Sequence, residues 1–491
     1  MRVTRIAAVP PTCWMAELSY EEYEYDYDQD ADGMEYVDYY DEDVYELPEG
    51  NSWEQEEEEE VASQFTLSEL YEYCVVPTVS DSSRHLYNLL VWSAVFLLMT
   101  RVVRPPAWLV HLASAACGCV VAWDMFGLRT GYMACLAGVG GLALVLSHFG
   151  FGCRRGPWTC GVCVVFLIFC ELWWADPVDW HSIRGPQMIL LMKMVSVGYD
   201  LDSAALYSPP NPLAMAGYLM NPGTVVFGPW LSFSSYQKIL QPLSWNVWMV
   251  PAVLVRLATC VIFLLVSTCY TSWVLPDSLN RWGIAYRDAL SFRFSHYFVS
   301  YLSEVSALLA GLDVGRVARP HQVEMPRSLV EVVISWNVPM HHWLKTYVFK
   351  TARNHLGIFC ALLFTYSMSS LFHGLNFQLA AVLLSLGFYT FVEYSLRAKL
   401  ASVFNACILA RACPDNCSHK LKAWSWFSLS TNLVFGVLTV FHLAYLGIMF
   451  DSSSQQQEEG YSMSHTLNKW SSLNYASHWV MFVCYVMYSV I

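Results

Sequence analysis

Residues 334–350 read ISWNVPMHHWLKTYVFK, residues 351–359 read TARNHLGIF, and residues 360–377 read CALLFTYSMSSLFHGLNF. The first and last pieces are largely apolar, yet each carries a polar side chain well inside it: Asn337, two residues before Pro339, and His373. An ionisable ring at bilayer depth is costly unless protein or a wet cavity surrounds it, so an intramembrane histidine reads first as a functional group. An imidazole has a reference pKa of about 6.5, so it can take a proton from a hydroxyl and return it to a leaving group near neutral pH. Ser370 and Gly374 form a small-xxx-small pair around His373, which lets a second helix approach closely. The amide of Asn337 suits either orienting the ring or donating to a developing oxyanion. Together, Asn and His on neighbouring membrane helices are what acyl transfer inside a bilayer requires. A plainer reading stands beside each: a core histidine bonding helix to helix, and an asparagine that breaks a helix ahead of a proline.

The totals favour one large multipass body. Of 491 residues, 55% are hydrophobic and 14% charged, and the mean hydropathy is +0.36. The net charge of −14 describes neither part of the chain, because residues 1–81 hold 24 of the 41 acidic side chains and only Arg2 and Arg5 among the 27 basic ones. The rest is a mildly basic membrane protein. Residues 1–82 are expected to form a disordered acidic tail, since like charges at this density repel and there is little aliphatic surface to offset ordering entropy. A docking arm for a basic partner is the alternative. No cleavable signal peptide is expected in MRVTRIAAVPPTCWM, which lacks an apolar core. Many of the sixteen cysteines, Cys117 and Cys260 among them, lie in apolar runs, where they behave as small hydrophobes.

Residues 83–491 are expected to form an all-α transmembrane bundle. Apolar segments follow one another from Leu86–Val103 to Ala476–Ile491, some too short to cross alone, and imply about ten to twelve crossings. Arg101 and Arg104, then Arg154 and Arg155, favour cytosolic loops, which puts the acidic tail in the lumen. Lys193, in the apolar run Gly185–Asp202, reads as a snorkelling side chain on an interfacial helix. The run Met220–Tyr236 is broken by Pro222, Gly223, Gly228 and Pro229. Irregular backbone at membrane depth needs protein or a cavity around it, so Gly228 and Trp230 are candidates for lining a substrate cavity, with an ordinary turn as the alternative.

In residues 287–311, Arg293, Ser295, His296, Ser303 and Glu304 interrupt an aromatic run. They suggest a helix face turned toward a cavity, or else a solvated helix end. Cys413, Cys417 and His419 resemble part of a zinc site, but a single CxxxC without a second pair favours a loop disulfide or free thiols. The adjacent His341 and His342 do not share a helix face and have no suitably spaced carboxylate. No metal is therefore expected. Phosphate-binding glycine loops, dinucleotide fingerprints and serine-hydrolase elbows are missing from the sequence, as are nucleic-acid motifs.

With these residues in view, the pairing of SWNVPMHHWLKTYVFK with SSLFHGLNFQLAAVLLSL resembles the membrane-bound O-acyltransferases, whose hallmark is an Asn in one helix and a His in the next. The likeness extends through MILLMKMVSVGYDLD, GTVVFGPWLSF, SFRFSHYFVSYLSE, MPRSLVEVVISWN, CPDNCSH, FHLAYLG and ASHWVMF, from about Met188 to Phe482. Within that family it is to the branch that acylates serine in Wnt proteins. The resemblance implies His373 as the catalytic base and Asn337 as its companion. It places Trp336 beside the acyl chain or the substrate hydroxyl; on the residue readings above, Ser370, Gly228, Trp230, Arg293, Ser295, His296 and Glu304 are the further substrate-binding candidates. It also implies an endoplasmic reticulum membrane, palmitoleoyl-CoA as acyl donor entering from the cytosolic side, and no permanently bound cofactor. A sibling acting on lysophospholipid or sterol fits the Asn/His pair equally well. A transporter would require more charged residues along a path, and an escort for lipidated proteins would require no such histidine.

Overall fold

The computed structural model of the chain describes residues 66–148, 154–241, 249–414, 416–450 and 463–491. Residues 1–65 of the acidic tail lie outside them. The sequence reading carried the tail to residue 82, but helix begins at Leu67. There the Thr66 hydroxyl accepts from the Glu69 backbone N–H at 3.3 Å, and the Glu69 carboxylate accepts from Thr66 N–H at 2.8 Å. This reciprocal cap satisfies two of the orphan donors at a helix start.

Helix α1 (Leu67–Val103) leads to α2 (Ala107–Phe126) and α3 (Thr130–His148), which are parted at Gly127 by a turn with φ +53°. Next come α4 (Arg155–Phe169), α5 (Pro177–Asp202), α6 (Pro212–Leu219), α7 (Met249–Leu265) and α8 (Arg281–Leu309). The chain closes with α9 (Leu329–Trp336), α10 (Val338–Phe372), α11 (Phe377–Phe404), α12 (Trp426–Gly447), α13 (Met463–Ser472) and α14 (Ala476–Val490). Among the described residues there is no strand, only an isolated bridge between Ala406 and Leu421. Within α10 the backbone leaves helical geometry at Gly357, with φ +74°, so the apolar stretch is two helices joined at a glycine.

The all-α membrane bundle is as expected. Among the described residues, seven stretches can cross a membrane by length and composition, one of which contains both α2 and α3. The expectation of about ten to twelve was higher because it counted inner segments such as Met188–Val197 and Leu290–Ala310. These belong to α5 and α8, which need no lipid-facing apolar surface: α5 is buried from Gly185 to Gly198, and α8 buries Arg293, Ser295, Ser300, Ser303, Glu304 and Ser306.

Lys193 does not snorkel. It is fully buried, and its ammonium donates to the carbonyls of Tyr218 and Leu219 at 3.0 Å each and to the Thr224 hydroxyl at 2.9 Å. It thereby neutralises the negative C-terminal end of α6. The broken segment after α6 is likewise packed in protein. Ser306 Oγ donates to Gly223 O at 2.9 Å, Tyr218 OH to Leu231 O at 2.7 Å, and Asn221 Nδ2 to Ser114 Oγ at 3.0 Å. Gly223 is required there, because a Cβ would stand 2.5 Å from Ala310 Cβ and 2.6 Å from Ser306 O.

Among the described residues, one disulfide orients the bundle. Cys74, near the start of α1, is bonded to Cys269, just beyond α7. Disulfides persist on the oxidising side of a membrane, which favours placing this end away from the cytosol. Arg101 and Arg104 lie at the other end of α1, about 40 Å away at a helical rise of ~1.5 Å per residue. Arginine-rich ends face the cytosol, so the two signals agree.

Candidate active site

Asn337 sits at the joint between α9 and α10. Its backbone is extended, with φ −145° and ψ 95°, and it ends one helix while capping the next. The side-chain oxygen accepts from Met340 N–H at 3.0 Å, and the backbone carbonyl accepts from His341 N–H at 2.9 Å. Pro339 falls in the first turn of α10, where its missing N–H costs nothing. The joint is pinned from outside as well: Val338 N–H donates to Val317 O at 2.8 Å and Arg319 N–H to Ser335 O at 2.9 Å. With Oδ1 committed to the cap, the Nδ2 donors have no partner among the described residues.

His373 follows the last residue of α10. Its N–H donates to Ser370 O at 3.0 Å, and the next residue, Gly374, has φ +90°. This turn is clamped by an ion pair. Arg184 of α5 donates to Glu171, just past α4, at 2.7 Å, and the same carboxylate oxygen accepts from Leu375 N–H at 2.9 Å. The clamp packs so closely that a Cβ on Gly374 would lie 2.5 Å from Arg184 Cζ and 2.7 Å from Glu171 Oε1. Glycine is thus demanded by the positive φ, and a Cβ there would push the ends of the Arg184 and Glu171 side chains out of the clamp. The His373 ring is half-buried, has no hydrogen-bond partner among the described residues, and lies within electrostatic reach of Arg184 and His296.

Two contacts join these segments. Phe372 meets Trp343 edge-on at 5.5 Å between ring centroids, and Trp343 donates to Met192 O at 3.0 Å. His296 of α8 stacks on Trp336, the residue before Asn337, at 4.3 Å and an interplanar angle of 10°. Its Nε2 lies 2.9 Å from Trp336 O. Thus His296 and Trp336 stack beside Asn337 at the α9–α10 joint, while Phe372 ties the end of α10, just before His373, to Trp343 near its start.

The remaining sequence candidates separate. Ser370 is buried one turn before His373 and accepts from it through its carbonyl. Gly228 takes φ +77°, where a Cβ would press on Ile189 Cδ1 at 2.9 Å. Trp230 donates to Ser196 Oγ at 3.3 Å and stacks on His342 at 6.1 Å. Arg293 is spent on a two-pronged ion pair with Glu324, at 2.8 and 3.0 Å. Glu304 accepts from Arg256 at 2.9 Å and from Val317 N–H at 2.7 Å. Ser295 bonds the carbonyl of Phe292 within its own helix. Arg293 and Glu304 therefore hold the loop that returns from α8 to Asn337. The Glu171–Arg184 clamp escaped sequence reading, because partners 13 residues apart on different elements leave no periodic signal.

Beside Asn337 opens a cavity of about 400 Å³. Arg319, Arg411, Lys345 and His341 contribute cationic or ionisable groups to its wall, against the single carboxylate of Glu331. Such a wall suits a polyanion.

The family model for the membrane-bound O-acyltransferase family matches residues 158–416. The chain is 39% identical over 456 residues to the human protein-serine O-palmitoleoyltransferase porcupine, covering 86% of this chain and 97% of the relative. The corresponding mouse protein is 40% identical over the same span and coverage. That of Anopheles gambiae is 34% identical over 467 residues, 87% of this chain and 94% of the relative.

Proposed function

The chain belongs to the membrane-bound O-acyltransferase family, and on that premise we propose that it transfers a palmitoleoyl group from palmitoleoyl-CoA to a serine of Wnt proteins at the endoplasmic reticulum membrane. The observation that carries this reading is the clamped turn that holds a half-buried His373 within electrostatic reach of His296, which in turn stacks on Trp336 beside Asn337. A thioester is already activated, so direct attack needs only base, orientation and oxyanion stabilisation. His373 accepts the proton of the serine hydroxyl as its oxygen attacks the thioester carbon. Asn337 Nδ2 donates to the resulting oxyanion. The C–S bond then breaks, and His373 returns the proton to the departing thiolate. The basic cavity on the cytosolic side offers a seat for the phosphates of the donor, while the serine arrives from the lumen. Burial of the acyl chain at ~0.8 kcal/mol per methylene supplies holding energy.

The deciding experiment uses purified full-length protein in detergent, labelled palmitoleoyl-CoA and a serine-bearing Wnt hairpin peptide. His373→Ala is expected to fold, to retain acyl-CoA binding and to lose transfer. Wild-type transfer by that variant removes the assignment. Acylation of lysophospholipid in place of the peptide by the unmodified protein identifies the sibling chemistry instead.

A further inference from the structure

We propose that the loop joining α11 to α12 binds one structural zinc ion through Cys407, Cys413, Cys417 and His419. The four ligand atoms all lie within 4.8 Å of one another. Cys407 Sγ stands 3.3 Å from Cys417 Sγ and 3.6 Å from His419 Nδ1, and Cys413 Sγ is also 3.6 Å from that nitrogen. A tetrahedral zinc with bonds of ~2.3 Å to sulfur and ~2.0–2.1 Å to nitrogen requires S···N edges of about 3.6 Å and S···S edges of about 3.8 Å. Three thiols and an imidazole already stand close to those edges. Four protein ligands close the coordination shell, as in structural rather than catalytic sites. Thiolate and imidazole donors select zinc over the hard cations that prefer oxygen.

The ligands are held by contacts that need no metal. Asn405 adopts a left-handed φ of +48°, Cys407 N–H donates to Leu421 O at 2.9 Å, and Leu421 N–H donates to Asn405 O at 2.9 Å. A turn brings Cys417 N–H to Pro414 O at 3.0 Å. Lys422 Nζ lies 3.7 Å from Cys417 Sγ and also donates to the Cys417 carbonyl. Three thiolates on a divalent ion leave one net negative charge, which this ammonium offsets.

A disulfide is the competing use of these thiols, and the position of the loop argues against it. Arg281, at the start of α8, donates to Ser472 O at 2.9 Å, so the residues before α14 lie at the lumenal end. That end of α8 is beside Cys269, for Ser291 Oγ donates to Ser267 O at 2.7 Å. Lys399, near the end of α11, donates to Tyr488 O near the far end of α14 at 2.8 Å. The loop after α11 is thus on the face opposite the Cys74–Cys269 bond, where thiols stay reduced. Its basic side chains, Arg411, Lys420 and Lys422, independently favour the cytosol. A disulfide between two of the thiols also leaves the convergence of Cys413 and His419 without a purpose. The sequence reading expected no metal because Cys407, the fourth ligand, lies in the helix-terminal run ahead of the polar loop.

The ion holds a wall of the substrate cavity. Arg327 donates to the carbonyls of Cys407 and Leu409 at 3.0 and 3.1 Å, and Arg397 donates to those of Ile408 and Leu409 at 2.8 and 3.0 Å. Residues Ala410–Ala412 continue from there into the cavity lining.

The test is elemental analysis of the full chain purified in detergent without added metal, followed by exchange with Co²⁺ alone. The expected result is one zinc per chain, and a cobalt form with sulfur-to-metal charge-transfer bands and intense visible bands of tetrahedral coordination. Thiol labelling of the native protein should rise by three groups when a zinc chelator is added. Cys413→Ser should lose the metal, whereas His419→Cys, which preserves a four-ligand set, should keep it. If Cys413→Ser fails to fold, metal content and cobalt spectra of the unmodified chain decide the matter. Metal-free protein with a Cys407–Cys417 disulfide, or with three thiols reactive before chelation, overturns the proposal.

Discussion

The proposed mechanism gives Asn337 two tasks that substitution can separate. Its Oδ1 caps α10 through Met340 N–H, while its Nδ2 is the donor proposed for the oxyanion. Aspartate retains the capping oxygen and the size of the side chain but lacks the amide donor. Alanine lacks both. Loss of an N-cap costs ~1 kcal/mol of stability, with a range of about 0.5–2. Loss of one oxyanion donor costs about 10²–10³ in kcat, or ~2.7–4 kcal/mol of transition-state stabilisation. Asn337→Asp is therefore expected to melt within a degree or so of the unmodified protein, by the ~1 kcal/mol-scale reasoning for caps, while transfer falls by at least about a hundredfold. Asn337→Ser also caps α10 and presents a shorter, hydroxyl donor, so it should fall between the two in rate with little change in Tm. Asn337→Ala should lose both rate and melting temperature. The assay pairs a thermal melt in detergent with single-turnover acyl transfer, so that folding and chemistry are read on the same preparation. Near-normal turnover in Asn337→Asp and Asn337→Ser, with a lowered Tm only in Asn337→Ala, would reduce Asn337 to a helix cap and refute the oxyanion role.

Gly374→Ala should lower kcat by about ten- to a hundredfold, the scale expected of a catalytic group displaced by roughly 1 Å, because the new methyl collides with the Arg184–Glu171 clamp. Gly127→Ala is the control: it also has a positive φ, but a Cβ there meets nothing within 4 Å, so transfer should persist. Equal rates in both variants would dismiss the clamp. Lys193→Met strips the donors from Tyr218 O, Leu219 O and Thr224 Oγ1, and should destabilise the protein by about 1–3 kcal/mol; an unchanged melting temperature contradicts that account. Deleting residues 1–65 should leave intrinsic transfer intact, whereas deleting residues 1–80 also removes Cys74 and its bond to Cys269, and so should lower thermal stability. Matching melts for the two truncations would show that the bond contributes nothing.

His373 and Asn337 were legible as candidates because polar groups in apolar runs are rare enough to stand out against their neighbours. The break at Gly357 could also be read, as the gap between two apolar segments. Lys193 was misread because a lysine in an apolar run looks the same whether it reaches for water or for the carbonyls at the end of α6. The same ambiguity applied to Arg293 and Glu304. Only the packed structure pairs them with Glu324 and Arg256.

Composition and polar punctuation by themselves determined an all-α membrane bundle with an acidic tail, and singled out the two residues proposed here to carry acyl transfer. That a long apolar run must leave water follows from the segment alone. Tertiary structure decided the rest: which helices are sheathed in protein, the Glu171–Arg184 clamp on the His373 turn, the stacking of His296 on Trp336, and the convergence of Cys407 on Cys413, Cys417 and His419. Those contacts join residues far apart along the chain, or across an irregular loop, where no helical period or fixed spacing announces a partner.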